Sequence, residues 1–291
     1  MAHLPAPAVP GLRLGAELRR LRDAAKLTQQ QAAKALDWST RTLIRKESGV
    51  GRFTAADVHA LLAVYGVTDR AEVEKLLELA RETRRPSPFG KYHDVVQPQF
   101  LTFLALEGAA KVIRQVSTVL LPGLLQTGGY ARGLQPIDGT SEEDLALQLE
   151  LRRTRQGLLA SDRSPAYTVV LDESVLHRRV GGPGVMADQL RHLLDLVEAG
   201  KVDVRIIEYS VGAHPGLREC FAVFDLAAES DDPVPTSTVV FIDHPVHSAL
   251  VREDERIPHY TATFEALTAL ALTAEQSTRR LAHEISRYTD A

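Results

Sequence analysis

The chain has a single cysteine, Cys220, so it cannot close an internal disulfide. It contains no apolar run of about 18 residues, the length a membrane-spanning helix needs, and no basic-then-apolar leader opens it. A reducing cytoplasm is therefore the expected compartment, with no membrane association. The motifs of common reactions are also missing: there is no GxSxG elbow, no P-loop and no GxGxxG fingerprint. Cys220 falls in an expected strand, with nothing in the sequence to make it a nucleophile. Asp243, His244, His247 and nearby His259 are metal-ligating residue types, but their spacing fits no strong zinc pattern. No catalytic residue, metal or cofactor is expected.

What is present is ordinary globular material, 44% hydrophobic and 25% charged over 291 residues, enough for about two domains each with its own core. The net charge of −4 argues against a nucleic-acid partner until it is divided along the chain. Residues 1–60 hold ten Lys or Arg and five Asp or Glu, a balance of +5, which leaves −9 for the rest. A positive end on an acidic body is the asymmetry expected when only that end meets phosphate.

Residues 1–10 carry three prolines and no periodicity, and read as a disordered leader. Helical spacing then begins: Leu14, Leu18, Leu21 and Ala25 define a first helix ending near Lys26. Thr28 is the N-cap of a second, with Gln31 at capping-box spacing and Ala32, Ala33 and Leu36 facing inward. Asp37-Trp38 makes the turn, Ser39 caps a third helix running to about Ser48, and Gly49 stands where a left-handed terminator is wanted. A fourth helix spans Thr54 to Tyr65 before Gly66, and a fifth Asp69 to Arg85 before Pro86-Ser87-Pro88, the strongest boundary in the chain.

The pattern then becomes mixed. Gln99–Glu107, Ser141–Ala160, Gly184–Glu198, Ile257–Leu272 and Ala274–Tyr288 have helical character. Lys111–Thr118, Tyr167–Leu171, Val202–Glu208, Phe221–Leu226 and Val239–Ile242 are strand-like. The expected architecture is a mainly α, five-helix N-terminal helix-turn-helix domain at 11–67, a linking helix and linker at 68–89, and an α+β domain at 90–291.

Two short helices joined by a tight turn need a third behind them to bury their apolar faces, and that arrangement projects the recognition helix, about 40–48, outward to a major groove. Leu43 is its inward anchor, while Thr40, Arg41, Ile44 and Arg45 lie on or beside the outer face. An arginine fork matches guanine O6 and N7, and Arg41 and Arg45 stand one above the other. Gln29, at the start of the second helix, suits a backbone phosphate. Arg52, just beyond the recognition helix, completes the DNA-contacting set. Helix spacing alone also fits an unspecialised bundle with solvated arginines.

The order Leu27-Thr28-Gln29, Ala32-Ala33, Trp38-Ser39, Arg45 and Glu47-Ser48-Gly49 resembles the XRE (Cro/cI-type repressor) helix-turn-helix family across residues 12–66. The resemblance implies that Gln29 contacts phosphate and that Thr40, Arg41, Ile44 and Arg45 occupy base-reading positions. In that family the acid matching Glu47 pairs with an arginine of the first helix. Arg22 stands at that place, which makes Glu47 a brace. Two positions depart from the pattern: Asp37 replaces a turn glycine, and Lys46 replaces an aliphatic core residue whose role its methylene stem can take.

Beyond residue 90, Leu121-Pro122-Gly123-Leu124-Leu125-Gln126-Thr127, Tyr130-Ala131-Arg132, Arg152-Arg153, Val180-Gly181-Gly182-Pro183 and Gly212-Ala213-His214-Pro215-Gly216 resemble a domain of unknown function. That domain follows XRE-type domains in actinobacterial regulators, often encoded near small partner proteins. On the residues alone, Gly181-Gly182-Pro183 is a turn feeding a helix and Pro122-Gly123 a bend. Gly212–Gly216 is a loop after a strand, a place that serves either ligand contact or a plain connection.

The expectation is a sequence-specific regulator that binds double-stranded DNA as a homodimer, with room for a small protein partner or an effector at the C-terminal domain. An adaptor or antitoxin-like protein that binds DNA only for autoregulation is the alternative. An enzyme fused to a DNA-binding domain lacks any reaction signature here.

Overall fold

A computed structural model of the chain describes residues 9–49, 53–85, 89–92, 95–135, 141–226, 238–243, 249–251 and 255–289. They form two compact units, the first ending at Ala109 and the second starting at Ala110.

The first unit is helical: α1 (Val9–Ala24), α2 (Gln29–Ala35), α3 (Thr40–Glu47), α4 (Ala55–Tyr65), α5 (Arg70–Glu82) and α6 (Pro98–Ala109). Local chemistry sets the boundaries. Thr28 and Gln31 close a reciprocal capping box on α2, Thr54 and Asp57 another on α4, while Ser39 caps α3 and Asp69 caps α5. Gly66 ends α4 in the left-handed conformation, as does Gly49 just after α3. Helix α1 starts at Val9, so the last two residues of the expected leader are helical; Pro10 sits in a first turn, where its missing N–H costs no helical bond. Residues 1–8 and Pro86-Ser87-Pro88 lie outside the described residues.

Leu14, Leu18, Leu43, Phe53, Val58, Leu61 and Leu76 are fully buried and join α1 to α5 in one core. Each such side chain contributes about 1.5–3 kcal/mol on burial, which short helices need because they are marginal alone. The apolar helix α6 packs against α1 and belongs with this unit, although the sequence reading placed residues 90–109 with the second domain.

The second unit is built on a six-stranded sheet of order β3-β2-β1-β4-β5-β6. The strands are β1 (Ala110–Ser117), β2 (Ala166–Asp172), β3 (Asp203–Ile207), β4 (Cys220–Leu226), β5 (Thr238–Asp243) and β6 (Ala249–Val251). Strands β1, β2 and β3 are parallel neighbours, whereas β4, β5 and β6 continue the sheet antiparallel. Parallel neighbours need long crossovers. Helices α7 (Gly128–Gly133) and α8 (Glu142–Ala160) supply the first, α9 (Ser174–His177) and α10 (Pro183–Glu198) the second. Helices α11 (Ile257–Leu270) and α12 (Ala274–Thr289) follow β6.

One sheet face places Val116, Val170, Phe221 and Val240 against Tyr260, Phe264 and Leu267 of α11. Val169 and Leu171, on the opposite face of β2, are equally buried, as parallel strands between helices require. The five expected strands are all present, and a short sixth, β6, joins them. Three residues are too few to show a period of two. The register brings the ends of β1, β2 and β3 together at Ser117, Asp172 and Ile207, with the start of β4 beside β1.

Candidate nucleic-acid interface

The turn between α2 and α3 closes through the Trp38 amide, which donates to the Ala33 carbonyl at 2.9 Å. Asp37 holds φ = 54° there, the left-handed conformation that a turn glycine adopts more cheaply. On α3 the Ser39 hydroxyl accepts from the Thr42 amide at 3.1 Å. Leu43 is wholly buried, whereas Arg41, Ile44 and Arg45 are exposed and Thr40 is half-buried. Ile44, at 43% exposure, is an apolar side chain held in solvent on the same face as the two arginines.

The far end of α3 is held by a buried polar cluster. Arg22 Nε donates to Glu47 Oε1 at 2.6 Å and its Nη2 to Oε2 at 3.2 Å, a two-point grip. The same guanidinium donates to the Leu27 carbonyl at 2.7 Å and to Asp23 Oδ1 at 2.6 Å. Tyr65 donates its hydroxyl to Glu47 Oε1 at 3.3 Å. Burial, reinforced by the Glu47 charge, pushes the Tyr65 phenol well above its ordinary range. Burial works against the Arg22 charge, but the Glu47 bonds prevail and raise its pKa. Gln29 is drawn into this cluster: its Nε2 donates to Glu47 Oε2 at 3.0 Å.

Two features of this end were not read from the sequence. Gly11 and Gly15, one turn apart on α1, lie against the backbone after α3, and a Cβ on Gly15 would fall 2.6 Å from the Glu47 carbonyl oxygen. Their repeat at helical spacing is the signal that could have shown the close approach. Arg84, after α5, donates through Nη2 to the Phe53 carbonyl at 3.0 Å; nothing local marks that bond.

Lys46 behaves partly as expected. Its ammonium lies 5.0 Å from the Phe53 ring centre and also pairs with Asp57 Oδ2 at 2.6 Å. Burial would raise the Asp57 carboxyl, but Lys46 and the Thr54 amide outweigh it and leave it below its ordinary value. Three of the unit's acids are thus spent on its own cations: Glu17 on Arg20, Glu47 on Arg22 and Asp57 on Lys46. Arg41 and Arg45 have no ion-pair or hydrogen-bond partner among the described residues, so uncompensated positive charge stands on the outer face of α3. Arg52 lies outside the described residues, and so do His244, His247 and the Asp243 side chain.

Among the described residues no group of three or more His, Cys, Asp or Glu is arranged to hold a metal ion, and no helix is long and apolar enough to cross a membrane.

A short N-terminal helix pair braced from behind, with a cationic outer helix, defines a helix-turn-helix DNA-binding domain. Comparison agrees: residues 13–76 match the family described as helix-turn-helix domain. Residues 100–283 match the domain of unknown function DUF5753, and the chain belongs to that family. No curated protein and no solved structure matches.

Proposed function

We propose that the protein is a sequence-specific transcriptional regulator of the XRE type that lays α3 in the major groove of double-stranded DNA. Arg41 and Arg45 read guanine edges, while Thr40 and Ile44 meet neighbouring base edges and methyl groups. Gln29 holds the adjoining phosphate with the amide hydrogen that Glu47 does not take, since an amide carries two. Arg52 adds a further contact to the DNA. The observation that carries this reading is the exposed pair Arg41 and Arg45, without a partner among the described residues, on a helix whose inner side is fixed by Leu43 and Glu47. One short helix reads too few base pairs to find a site in a genome, so the active form is a homodimer on paired half-sites. Its place of action is the cytoplasm.

Selection from a random duplex library, followed by titration of the best site and a scrambled duplex, tests the reading. A defined site with paired half-sites is the expected result. Equal affinity for all duplexes would overturn it. Genome-wide binding at a single site beside its own gene would instead support a partner-binding adaptor that regulates only itself.

A further inference from the structure

A series of hydrogen bonds runs from the end of α5 to the last turn of α3. Arg84 stands just after α5, shortly before Pro86 and beyond the residues 13–76 that match the helix-turn-helix family. Its Nε and Nη2 both donate to the Phe53 carbonyl, at 3.2 and 3.0 Å. No acid pairs with Arg84 among the described residues, so its charge is directed at this one peptide.

The peptide group that Phe53 shares with Thr54 carries the effect onward. Its N–H, on Thr54, donates to Asp57 Oδ2 at 2.9 Å. The same oxygen accepts from Lys46 Nζ at 2.6 Å, and Lys46 lies in the last turn of α3. The ammonium also sits 5.0 Å from the centre of the Phe53 ring, which is wholly buried. One peptide is thus held on both sides, its oxygen by Arg84 and its hydrogen by the carboxylate that anchors α3.

A donor on a carbonyl oxygen polarises the amide and strengthens its N–H, so bonds in series reinforce one another. The guanidinium is charged and brings two N–H groups to one oxygen, which has two lone pairs to receive them. Releasing it weakens the Thr54–Asp57 bond and lets Asp57 and Phe53 shift, and both of these touch Lys46. Arg45 precedes Lys46 in the same turn of α3. Groups that read a partner must be held to within about 0.5 Å, so a small displacement of this turn is felt at the bases.

We propose that Arg84 is a positioning residue for DNA reading: through the Phe53–Thr54 peptide and Asp57 it sets the last turn of α3, and with it Arg45. The proposal rests on the reading of α3 as the helix that meets DNA, and it does not require Arg84 to touch DNA.

Arg84 is exposed, so Arg84→Ala opens no cavity, and Arg84→Lys keeps the charge and a donor. Both variants are made in the full chain and measured where circular dichroism shows them folded. In amide spectra without DNA, Arg84→Ala should move Thr54 and also Ile44–Glu47 of α3, and Arg84→Lys should restore part of that movement. On the best duplex from a selection, Arg84→Ala should weaken binding about three- to tenfold. Affinity for a scrambled duplex should stay within about twofold, and the salt dependence should keep its slope. In a Lys46→Met background, where the series is already cut, Arg84→Ala should cost less than about twofold. Amide changes that stop at Phe53 and Thr54, unchanged affinity for the best duplex, or an undiminished loss in the Lys46→Met background would overturn the assignment. So would equal losses on both duplexes with a slope lowered by about 0.9, the mark of a direct phosphate contact. If the unaltered protein prefers no duplex, the regulator reading fails by itself, and the amide spectra still decide whether Arg84 sets α3.

Discussion

Both units bury charge, and they use it differently. In the first, Arg22 and Glu47 lock one end of α3 while Arg41 and Arg45 stay exposed without a partner among the described residues. In the second, Glu173, His177, Arg280 and Glu284 close on one another between the end of β2 and α12: Arg280 Nη2 lies 2.5 Å from Glu173 Oε1 and 3.2 Å from Glu284 Oε1. His177 reaches the same two acids through its two ring nitrogens. There the charges satisfy each other and fix packing. A buried ion pair is weak evidence for net stability, but it does fix the register of the elements it joins. The first network leaves two cations without a partner among the described residues on the outer face of α3, whereas the second closes on itself.

The largest expected effect comes from cutting the comparison in two. Residues 90–291 expressed alone should fold and lose DNA binding entirely, since residues after 60 carry −9 and the cationic helix is gone. A cooperative melt and a gel-shift titration check both halves of that statement. Retained operator affinity would move DNA recognition into the second unit.

Next comes the brace. Removing one partner of a buried pair leaves the other charge uncompensated, so Glu47→Ala should destabilise the first unit by about 3–5 kcal/mol in urea. The transition of the second unit should not move. A double-mutant cycle with Arg22→Ala should show coupling of about 0.5–3 kcal/mol. Additive effects would remove the brace. A variant that folds normally yet changes base preference would place Glu47 in the interface.

Smaller again are the reading residues. Arg41→Ala or Arg45→Ala should cost about 1–3 kcal/mol on the best operator and far less on scrambled DNA, with unfolding unchanged. Equal losses on both duplexes would demote that residue to a phosphate contact.

The two units were also unequally legible in the sequence, for one physical reason. The first is fixed by interactions three to five residues apart: the caps at Thr28, Ser39 and Thr54 and the left-handed Gly49 and Gly66 are all local signals. The Arg22–Glu47 pair, 25 residues apart, was accessible only through the resemblance to XRE domains. Gln29 shows the limit of that route, since its place in the motif points to phosphate while its amide is also bound to Glu47. In the second unit element types were readable, but the sheet order and the Asp172–His214 contact, 42 residues apart, depend on long-range pairing that no local pattern encodes. On its residues alone Gly212–Gly216 reads as a loop after a strand that serves either ligand contact or a plain connection.

The smallest expected effect sharpens how the first unit spends its cations, and it concerns Lys46. The Lys46 ammonium has two engagements, the rings of Trp38 and Phe53 and the carboxylate of Asp57, and pH separates them. The Asp57 carboxyl is held below its ordinary value in the folded unit, so between the folded and unfolded values the unfolded state binds more protons. Its contribution is therefore complete above the unfolded value and is lost as pH falls through the folded one. Lys46→Met keeps the apolar stem and removes the charge. At neutral pH the variant's first unit should be less stable by about 1 kcal/mol, the scale of a partly exposed pair. At a pH below the folded value, well under the ordinary carboxylate range, Asp57 takes up its proton and the gap should shrink toward zero. Urea unfolding of both proteins at the two pH values measures it. A gap that does not change with pH would mean that Lys46 acts through its cation over the Trp38 and Phe53 rings, and that the Asp57 charge serves the cap of α4 alone.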